Sequence, residues 1–469
     1  MNEEHFFMVS WGKIERRHDV RFYLPRFVKL EEKVRGRTDR RLRDFFIAMA
    51  GGATPKAEEK ELYYSDDPAI GIPFIRVQNL STSGELDIEE VKFINAETHN
   101  GMLARSHVHE DDLLVKITGV GRMAVSSVPP KGFEGNINQH IVRAKTRSRI
   151  ESETLAAFLN TDIGEALATR RATGGTRPAL DYPALRSLPI IYNEAILPLL
   201  EEANSRRKDA LKKADVLLAS IDDYLLAELG IALPLEPENT IDKRTQRVSF
   251  SAIQQRLDPN FFARKYVDLT EAIARRPFKL LRDVCNLSSE TWDQKSGFGE
   301  TFPYLEISAI DRTTGQITEI AEIPLEEAPS RARMMVRPQD ILVSTTRPSR
   351  GAITLVSYDH EPFIASTGFA VIREVDTSLV DRKFLFHVLR SRIGLTQMEQ
   401  RSSGGNYPAI TAAELKRIEI PLPDRSTQLS IGQEIERMKT AALQLRREAN
   451  AELERAKLDI EAILLGDAA

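Results

Sequence analysis

The sequence predicts an α+β fold in which one domain occurs twice, with the two copies separated by a pair of long antiparallel coiled-coil helices. Three observations lead to this prediction. A set of motifs recurs in the same order in both halves of the chain. Short runs of alternating polarity stand among helical runs, and two long segments follow a heptad pattern.

The most specific repeat is a Gly-Gly segment. It reads "ATGGTRPALDYPALRSLPI" at 172–190 and "SSGGNYPAITAAELKRIEI" at 402–420, each with a Pro three residues after the second Gly. Three further pairs keep the same order: "RRHDVRFYLPRF" with "QRLDPNFFARKY", "IPFIRVQNL" with "FPYLEISAI", and "EDDLLVKITGVGRMAV" with "PQDILVSTTRPSRGAI". Because the motifs occur only twice, they indicate a duplicated domain and not a solenoid.

Each copy mixes strand and helix signals. The runs "PFIRVQNL", "DLLVKIT", "DILVSTT" and "FAVIREV" alternate as strands do, and Gly, Pro, Asn and Asp clusters between them predict turns. A helical segment precedes each Gly-Gly, at 153–171 and 381–401. We interpret the Gly-Gly segment itself as the joint between a globular domain and the long helix that follows it.

Two long amphipathic segments complete the pattern. Leu197 begins a seam in steps of three and four that runs to Leu225, and Ile431 begins another that runs to Ile463. Both predicted helices end in a glycine, Gly230 and Gly466, as helix C-termini often do. At 1.5 Å per residue each helix would be about 50 Å long. We expect the two helices to pack on each other and hold the domains apart; the alternative is that each helix covers its own domain.

The boundaries follow from these segments. We predict a first domain at 1–192, a central helix at 193–232, a linker at 233–245, a second domain at 246–424 and a C-terminal helix at 425–469. Pro234 and Pro237 mark the linker as a hinge.

Composition narrows the functional class. The 469 residues carry a net charge of −4, and the one cysteine, Cys285, excludes an intrachain disulfide and a multi-cysteine metal site. We expect a buried, unreactive thiol there. The stretches 11–43 and 331–350 are rich in Arg and Lys and keep DNA binding open. No secretion signal or bilayer-spanning run is recognisable, so we expect a cytoplasmic protein that does not contact a membrane.

No catalytic motif is recognisable. The sequence lacks a GxxxxGK[ST] phosphate loop, a complete GxGxxG and the [ND]PP[FY] tetrad of adenine methyltransferases. "HVHEDD", with His107, His109, Asp111 and Asp112, has the composition of a metal site, but a solvated turn before a strand explains it better. We therefore predict a non-catalytic chain without a metal site.

The ordered motifs resemble the DNA-specificity subunit of type I restriction–modification systems. The resemblance rests on "RLDPNFFARKY", on "GGATP" followed by "IPFIRVQNL", on "DILVSTTRPSRGAI" and on "SSGGNYPAITAAELKRIEIPLP", with the two long helices in the same order. It covers about residues 14–465. The first copy departs from the usual form in "RRHDVRFYLP" and in its "GVGR" turn.

The resemblance implies that each copy is a target-recognition domain that binds one half of a bipartite double-stranded DNA site, with the helices setting the gap. It also implies two methyltransferase subunits and restriction–translocation subunits as partners. S-adenosylmethionine, ATP and Mg²⁺ would then bind to those partners, and this chain would hold no cofactor.

Candidate DNA contacts are polar residues in the loops of each copy, because base edges and phosphates are bound by Arg, Lys, Asn, Gln, Ser and Thr. In the first copy they are Lys116, Thr118, Arg122, Asn136, Asn138, Gln139, Arg171, Thr176 and Arg177. In the second copy they are Ser344, Thr345, Thr346, Arg347, Arg350, Ser366, Thr367, Arg401, Ser403, Asn406 and Tyr407.

Two other functions stay open at this point. One is a DNA-modifying enzyme that acts alone with diverged motifs. The other is a protein-interaction scaffold built on the coiled coil, with domains that bind no DNA. The sequence predicts neither the target bases, nor the length of the gap, nor the presence of a nuclease partner.

Overall fold

The structure is a computed structural model that describes residues 7–9, 14, 17–233, 240, 245, 247–248, 253, 258–294 and 297–467. The chain divides into unit 1, formed by Met1–Leu211 with Arg447–Ala469, and unit 2, formed by Lys212–Arg446. Most of the predicted linker, with Pro234 and Pro237, lies outside the described residues. The fold is α+β, as the sequence predicts.

The first half of the chain contains seven α-helices and nine strands among its described residues. The helices are α1 Pro25–Arg35, α2 Lys60–Tyr63, α3 Ala96–Asn100, α4 Arg149–Leu159, α5 Asp162–Arg171, α6 Tyr182–Arg186 and α7 Leu197–Leu229. The strands are β1 Ala48–Gly51, β2 Tyr64–Ser65, β3 Ile72–Ile75, β4 Lys92–Ile94, β5 His107–His109, β6 Leu113–Lys116, β7 Ser126–Ser127, β8 Glu134–Ile137 and β9 Ile141–Lys145.

The second half repeats this mixture. Its described helices are α8 Arg264–Ala274, α9 Leu281–Val284, α10 Arg382–Arg390, α11 Arg392–Arg401, α12 Ala412–Leu415 and α13 Arg425–Leu465. Its strands are β10 Phe278–Leu280, β11 Cys285–Leu287, β12 Thr301–Leu305, β13 Ala321–Pro324, β14 Ala332–Val336, β15 Ile341–Ser344, β16 Ile353–Leu355, β17 Phe363–Ser366, β18 Phe369–Val375 and β19 Glu419–Pro421.

Unit 1 contains two sheets. One is antiparallel with strand order β1-β9-β6-β7, and the other has the order β2-β4-β3-β8-β5. In the second sheet β3 and β8 run parallel, with Phe74 opposite Asn136. The main core packs the first sheet against α4 and α5 and includes Leu200 of α7 and Leu453 and Ile460 of α13.

Unit 2 also contains one antiparallel sheet and one mixed sheet. Its antiparallel sheet has the order β11-β18-β15-β16, and its mixed sheet has the order β13-β12-β17-β14. Here β12 and β17 run parallel, with Tyr304 opposite Ile364. A short pair, β10 with β19, corresponds to a single bridge in unit 1 between Arg41 and Pro189. The main core includes Leu225 of α7 and Ile431 and Ile435 of α13.

The two long helices contribute to both units. In unit 1, Arg206 of α7 forms an ion pair with Glu452 of α13 at 3.0 Å. In unit 2, Asp215 of α7 pairs with Arg446 of α13 at 2.8 Å. Every position of the two predicted heptad seams is buried or half-buried. Among the described residues, no helix is both long enough and apolar enough to cross a membrane.

The helical segment predicted before each Gly-Gly is confirmed, and each consists of two helices, α4 with α5 and α10 with α11. Thr161 interrupts the first run, because its hydroxyl accepts the Gly164 N–H at 3.1 Å and starts α5 anew. Gly164 lets the two helices pack closely, since an added Cβ would lie 2.5 Å from the Phe158 carbonyl oxygen. Ser391 and Gly394 occupy the same places between α10 and α11.

The strand predicted over "PFIRVQNL" is also shorter than expected. It ends at Ile75, and a 3-10 turn follows at Val77–Asn79. The Asn79 side chain accepts the Arg76 N–H at 2.9 Å and so ends the extended backbone. The prediction for Cys285 is confirmed: the thiol is buried and free, and burial raises its pKa to about 12.

Candidate nucleic-acid interface

Three loops meet at one place in unit 1, formed by residues 117–121, 138–140 and 172–180. Their backbones are joined directly, since the Ile117 N–H donates to the His140 carbonyl at 2.9 Å and the Leu180 N–H donates to Ile117 at 2.8 Å. The Gly119 N–H donates to the Pro178 carbonyl at 3.1 Å. We call this place the three-loop end of unit 1.

Unit 2 has a three-loop end of its own, formed by residues 345–351, 366–368 and 402–410. The Thr345 N–H donates to the Gly368 carbonyl at 2.7 Å, and the Ile410 N–H donates to Thr345 at 2.9 Å. The Arg347 N–H donates to the Pro408 carbonyl at 2.7 Å. These three bonds occupy the same places in the repeated motifs as the three bonds of unit 1.

The Gly-Gly segment forms the tip of each three-loop end. Thr173 and Ala179 exchange two backbone hydrogen bonds of 2.8 and 2.7 Å, and all residues of 173–177 are exposed. The first glycine of each pair has a positive φ, 96° at Gly174 and 109° at Gly404. The segment that we interpreted as a joint is therefore an exposed loop, bonded to the loop after β6 in unit 1 and after β15 in unit 2.

Gly52 brings a further backbone segment to the three-loop end of unit 1. A Cβ added there would lie 2.0 Å from the Ile137 carbonyl oxygen and 2.4 Å from that of Asn138. A Cβ added at Gly51 would meet the Tyr182 hydroxyl in the same way. Gly52 of the "GGATP" motif thus has a physical reason, because a side chain there would overlap two backbone carbonyl groups, whereas the exposed Tyr182 side chain can turn away from a Cβ at Gly51.

The predicted contacts fall into two groups according to exposure. Those that are exposed or half-exposed on the three-loop ends are Thr118, Gln139, Thr176 and Arg177 in unit 1 and Thr346, Arg347, Arg350, Thr367, Ser403, Asn406 and Tyr407 in unit 2, together with the half-exposed Thr345, whose hydroxyl is also bonded within the protein. The structure brings these together at the two three-loop ends.

The other predicted contacts of unit 1 make bonds within the protein. Lys116 donates to the Val120 carbonyl at 2.7 Å, and burial lowers its pKa. Arg122 pairs with Asp162 at 2.7 Å. Asn136 is fully buried and donates to the Leu103 carbonyl at 2.9 Å, while the side chain of Asn138 accepts the His140 N–H at 3.1 Å.

Arg171 belongs to a buried ionic cluster. It pairs with Glu31 at 2.7 Å, and Arg170 and Arg35 also contact that carboxylate. Burial alone would raise the pKa of Glu31, but the hydrogen bond from Arg171 and the three positive charges outweigh it and lower the pKa to about 2. The cluster joins α1 to the end of α5, directly before the Gly-Gly loop.

The remaining predicted contacts of unit 2 also have internal partners. The Ser344 hydroxyl donates to the Thr346 carbonyl at 2.8 Å, and the Thr345 hydroxyl donates to Gly368 at 3.0 Å. Ser366 accepts the Gly368 N–H at 3.2 Å, as Asn138 accepts that of His140. Arg401 donates to Glu414 at 3.4 Å, and burial lowers its pKa.

Two features escaped the sequence analysis. Val120, which was not among the predicted contacts, is 76% exposed at the tip of the loop after β6. The Arg347 guanidinium lies 4.2 Å from the centre of the Tyr407 ring, which is 70% exposed. Both residues of this pair were predicted contacts, but their proximity depends on loops 60 positions apart in the chain.

The "HVHEDD" segment lies at the opposite end of β8 and β9 from residues 138–140. Asp112 is buried and accepts the His109 N–H at 2.8 Å, which forms the turn into β6. The His107 Nε2 lies 2.9 Å from the His99 carbonyl oxygen. Among the described residues, no group of three or more His, Cys, Asp or Glu side chains is placed to hold a metal ion.

The chain is similar in sequence to known proteins. Residues 278–455 match the family described as the type I restriction modification DNA specificity domain. Over 109 residues the chain is 31% identical to the type I restriction enzyme HindI specificity subunit of Haemophilus influenzae, spanning 23% of this chain and 24% of that protein.

Two solved structures are similar to the chain. The HsdS subunit from Thermoanaerobacter tengcongensis is 36% identical, over 36% of this chain and 44% of that one, with a TM-score of 0.33. The type I restriction-modification system S subunit from M. genitalium is 14% identical, over 89% and 95% of the two chains, with a TM-score of 0.36. The chain therefore spans less than half of the first structure and about a quarter of the curated relative.

Proposed function

We propose that this chain, which carries a type I restriction modification DNA specificity domain at 278–455, is the non-catalytic DNA-specificity subunit of a type I restriction–modification complex. Each unit would bind one half of a bipartite double-stranded DNA site through its three-loop end. The observation that carries the proposal is that both units build this end with the same three backbone hydrogen bonds.

We infer from these shared bonds that the two units are copies of one domain. The shared scaffold holds different side chains at matching places, Gly119 against Arg347 and Arg177 against Tyr407. Loops of one shape with different polar groups can contact different base pairs. Such a pair of domains would serve to bind two unlike half-sites.

We further propose that α7 and α13 act as an antiparallel coiled coil that sets the gap between the half-sites. Their lengths of 33 and 41 residues support this role. The ion pairs Arg206–Glu452 and Asp215–Arg446 support an antiparallel arrangement, because the later residue of α7 pairs with the earlier residue of α13. Rigid spacing restricts binding to half-sites at matching distance and helical phase.

Partner subunits would carry out the catalytic steps. We propose two methyltransferase subunits and restriction–translocation subunits, with S-adenosylmethionine, ATP and Mg²⁺ bound to them in the cytoplasm. The net charge of −4 supports shared DNA contact, because a chain without excess positive charge depends on its partners for part of the phosphate binding.

Co-expression with a methyltransferase partner in a host without adenine methylation, followed by mapping of methylated adenines, tests the proposal. The expected result is a two-part motif with a fixed gap, absent when either protein is omitted. Methylation or cleavage by the purified chain alone would overturn it in favour of a self-sufficient enzyme. Absence of sequence-dependent DNA retention in the presence of the partner would favour a scaffold.

A further inference from the structure

Arg347 adopts a backbone conformation that L residues rarely take. Its φ of 48° and ψ of 51° lie in the left-handed region, at the start of the turn Pro348–Arg350. The corresponding residue in the first copy is Gly119, for which a positive φ is unremarkable. An arginine in this conformation, in a loop at the surface, points to a role for its side chain.

The guanidinium is held in a defined orientation. Its Nη2 donates to the Asn406 carbonyl oxygen at 2.8 Å and its Nε to the same atom at 3.3 Å. The group also lies 4.2 Å from the centre of the Tyr407 ring. The exposed Gly-Gly loop therefore fixes the arginine from two directions.

The edge formed by Nη1 and the remaining Nη2 hydrogen keeps its donors available. Within the part of the chain that the structure describes, Arg347 has no ion pair with a carboxylate, and the hydrogen bonds that it donates are those to Asn406 and Pro408. Two parallel N–H groups of this kind match the O6 and N7 acceptors of guanine in the major groove. A phosphate can accept the same fork, so a guanine contact is distinguished from a phosphate contact by the loss of discrimination at one base pair.

We propose that Arg347, positioned by Tyr407 and Asn406, binds a guanine in the half-site of unit 2 through its Nη1/Nη2 edge. The inference rests on the proposed function and adds a base and a residue to it. Tyr407 acts as a positioning residue, because its ring supports the guanidinium from one side.

The test is methylation mapping with the full chain and its methyltransferase partner, comparing the wild type with Arg347→Ala, Arg347→Lys and Tyr407→Phe. Arg347→Ala should relax one guanine position in one half-site, reducing discrimination there by about tenfold or more, and leave the other half-site unchanged. Arg347→Lys keeps the charge but loses the bidentate fork, so it should relax the same position. Tyr407→Phe keeps the ring and should preserve the wild-type motif.

Arg275→Ala is the control, because Arg275 is an exposed arginine of unit 2 at the C-terminal end of α8 and lies outside the three-loop end. It should leave the motif unchanged, and thermal unfolding should show that all variants are folded. Equal loss of methylation at every site with an unchanged motif would make Arg347 a phosphate contact and overturn the assignment, as would full specificity in Arg347→Lys. A wild-type complex without a bipartite motif would instead overturn the proposed function itself.

Discussion

Glu31 is the central residue of the ion-pair cluster that precedes the Gly-Gly loop of unit 1. It is 2% exposed and faces the guanidinium groups of Arg35, Arg170 and Arg171, so its carboxylate balances charges that lie immediately before the Gly-Gly loop. Unit 2 holds the same loop differently. There Gln400 donates to the Phe261 carbonyl at 2.9 Å, where Arg170 donates to Phe22 at 2.8 Å.

The lowered pKa of Glu31 makes unit 1 sensitive to acid. The folded pKa of about 2 lies below the ordinary value of 4.5, so the carboxylate stabilises the folded state above pH 4.5 and loses that contribution as the pH falls toward 2. The difference corresponds to roughly 3 kcal/mol. Glu31→Gln should lower the free energy of unfolding by roughly that amount at pH 7, because two buried arginines lose their counter-charge.

Urea unfolding between pH 2 and pH 7 would measure this, and the Glu31→Gln profile should be flatter than that of the wild type. Glu201→Gln is the control, since Glu201 is an exposed glutamate on α7 and should change the free energy by only a few tenths of a kcal/mol. Equal pH profiles for Glu31→Gln and the wild type would contradict the role given to the cluster.

At the scale of elements, the two glycines of the repeated pair have different tasks. Gly404 has a φ of 109°, and an added Cβ would lie 3.2 Å from the Tyr407 carbonyl oxygen. Gly405 has no atom within 4 Å of an added Cβ. We therefore expect Gly404→Ala to destabilise the loop by about 1–2 kcal/mol, while Gly405→Ala leaves it unchanged.

Amide hydrogen exchange over 402–410 is the appropriate measurement, because the effect is local. Gly404→Ala should increase exchange at Ser403 and Ala409, whose amides close the loop, and should weaken DNA binding by the complex. Gly174→Ala and Gly175→Ala offer the same comparison in unit 1, where Gly174 has a φ of 96°. The same increase in exchange from both substitutions of a pair would refute the distinction.

Sequence patterns predicted the long helices and several strands but not the exposure or the partners of loop residues. Heptad seams and alternating strands are local periodicities, so α7, α13, β6, β15 and β18 could be located from the sequence. Exposure of loop residues could not, since Asn136 is buried and Gln139 exposed only three positions apart. The partners of Arg171 and Arg347 lie on loops and helices distant in the chain, and no local pattern encodes them.

At the scale of the whole molecule, each unit has a carboxylate of a long helix bonded to the N-terminus of a shorter helix. Glu461 of α13 accepts the Ile163 N–H at the start of α5 at 3.2 Å, and Asp222 of α7 accepts the Arg392 N–H at the start of α11 at 3.1 Å. A carboxylate at a helix N-terminus is a favourable contact. In each unit a long helix is thereby bonded to the helix that leads into the Gly-Gly loop.

If α7 and α13 set the spacing of the half-sites, lengthening both should lengthen the gap. Four residues inserted after Leu211 and four after Arg446 add about one helical turn, or roughly 6 Å, to each helix. That length corresponds to one or two base pairs of B-form DNA.

Methylation mapping should then show both half-sites unchanged and the gap longer by that number. Four substitutions at exposed positions of the same helices provide the control and should leave the gap as it was. Altered half-site bases, or an unchanged gap in a folded and active complex, would show that the helices do not measure the distance.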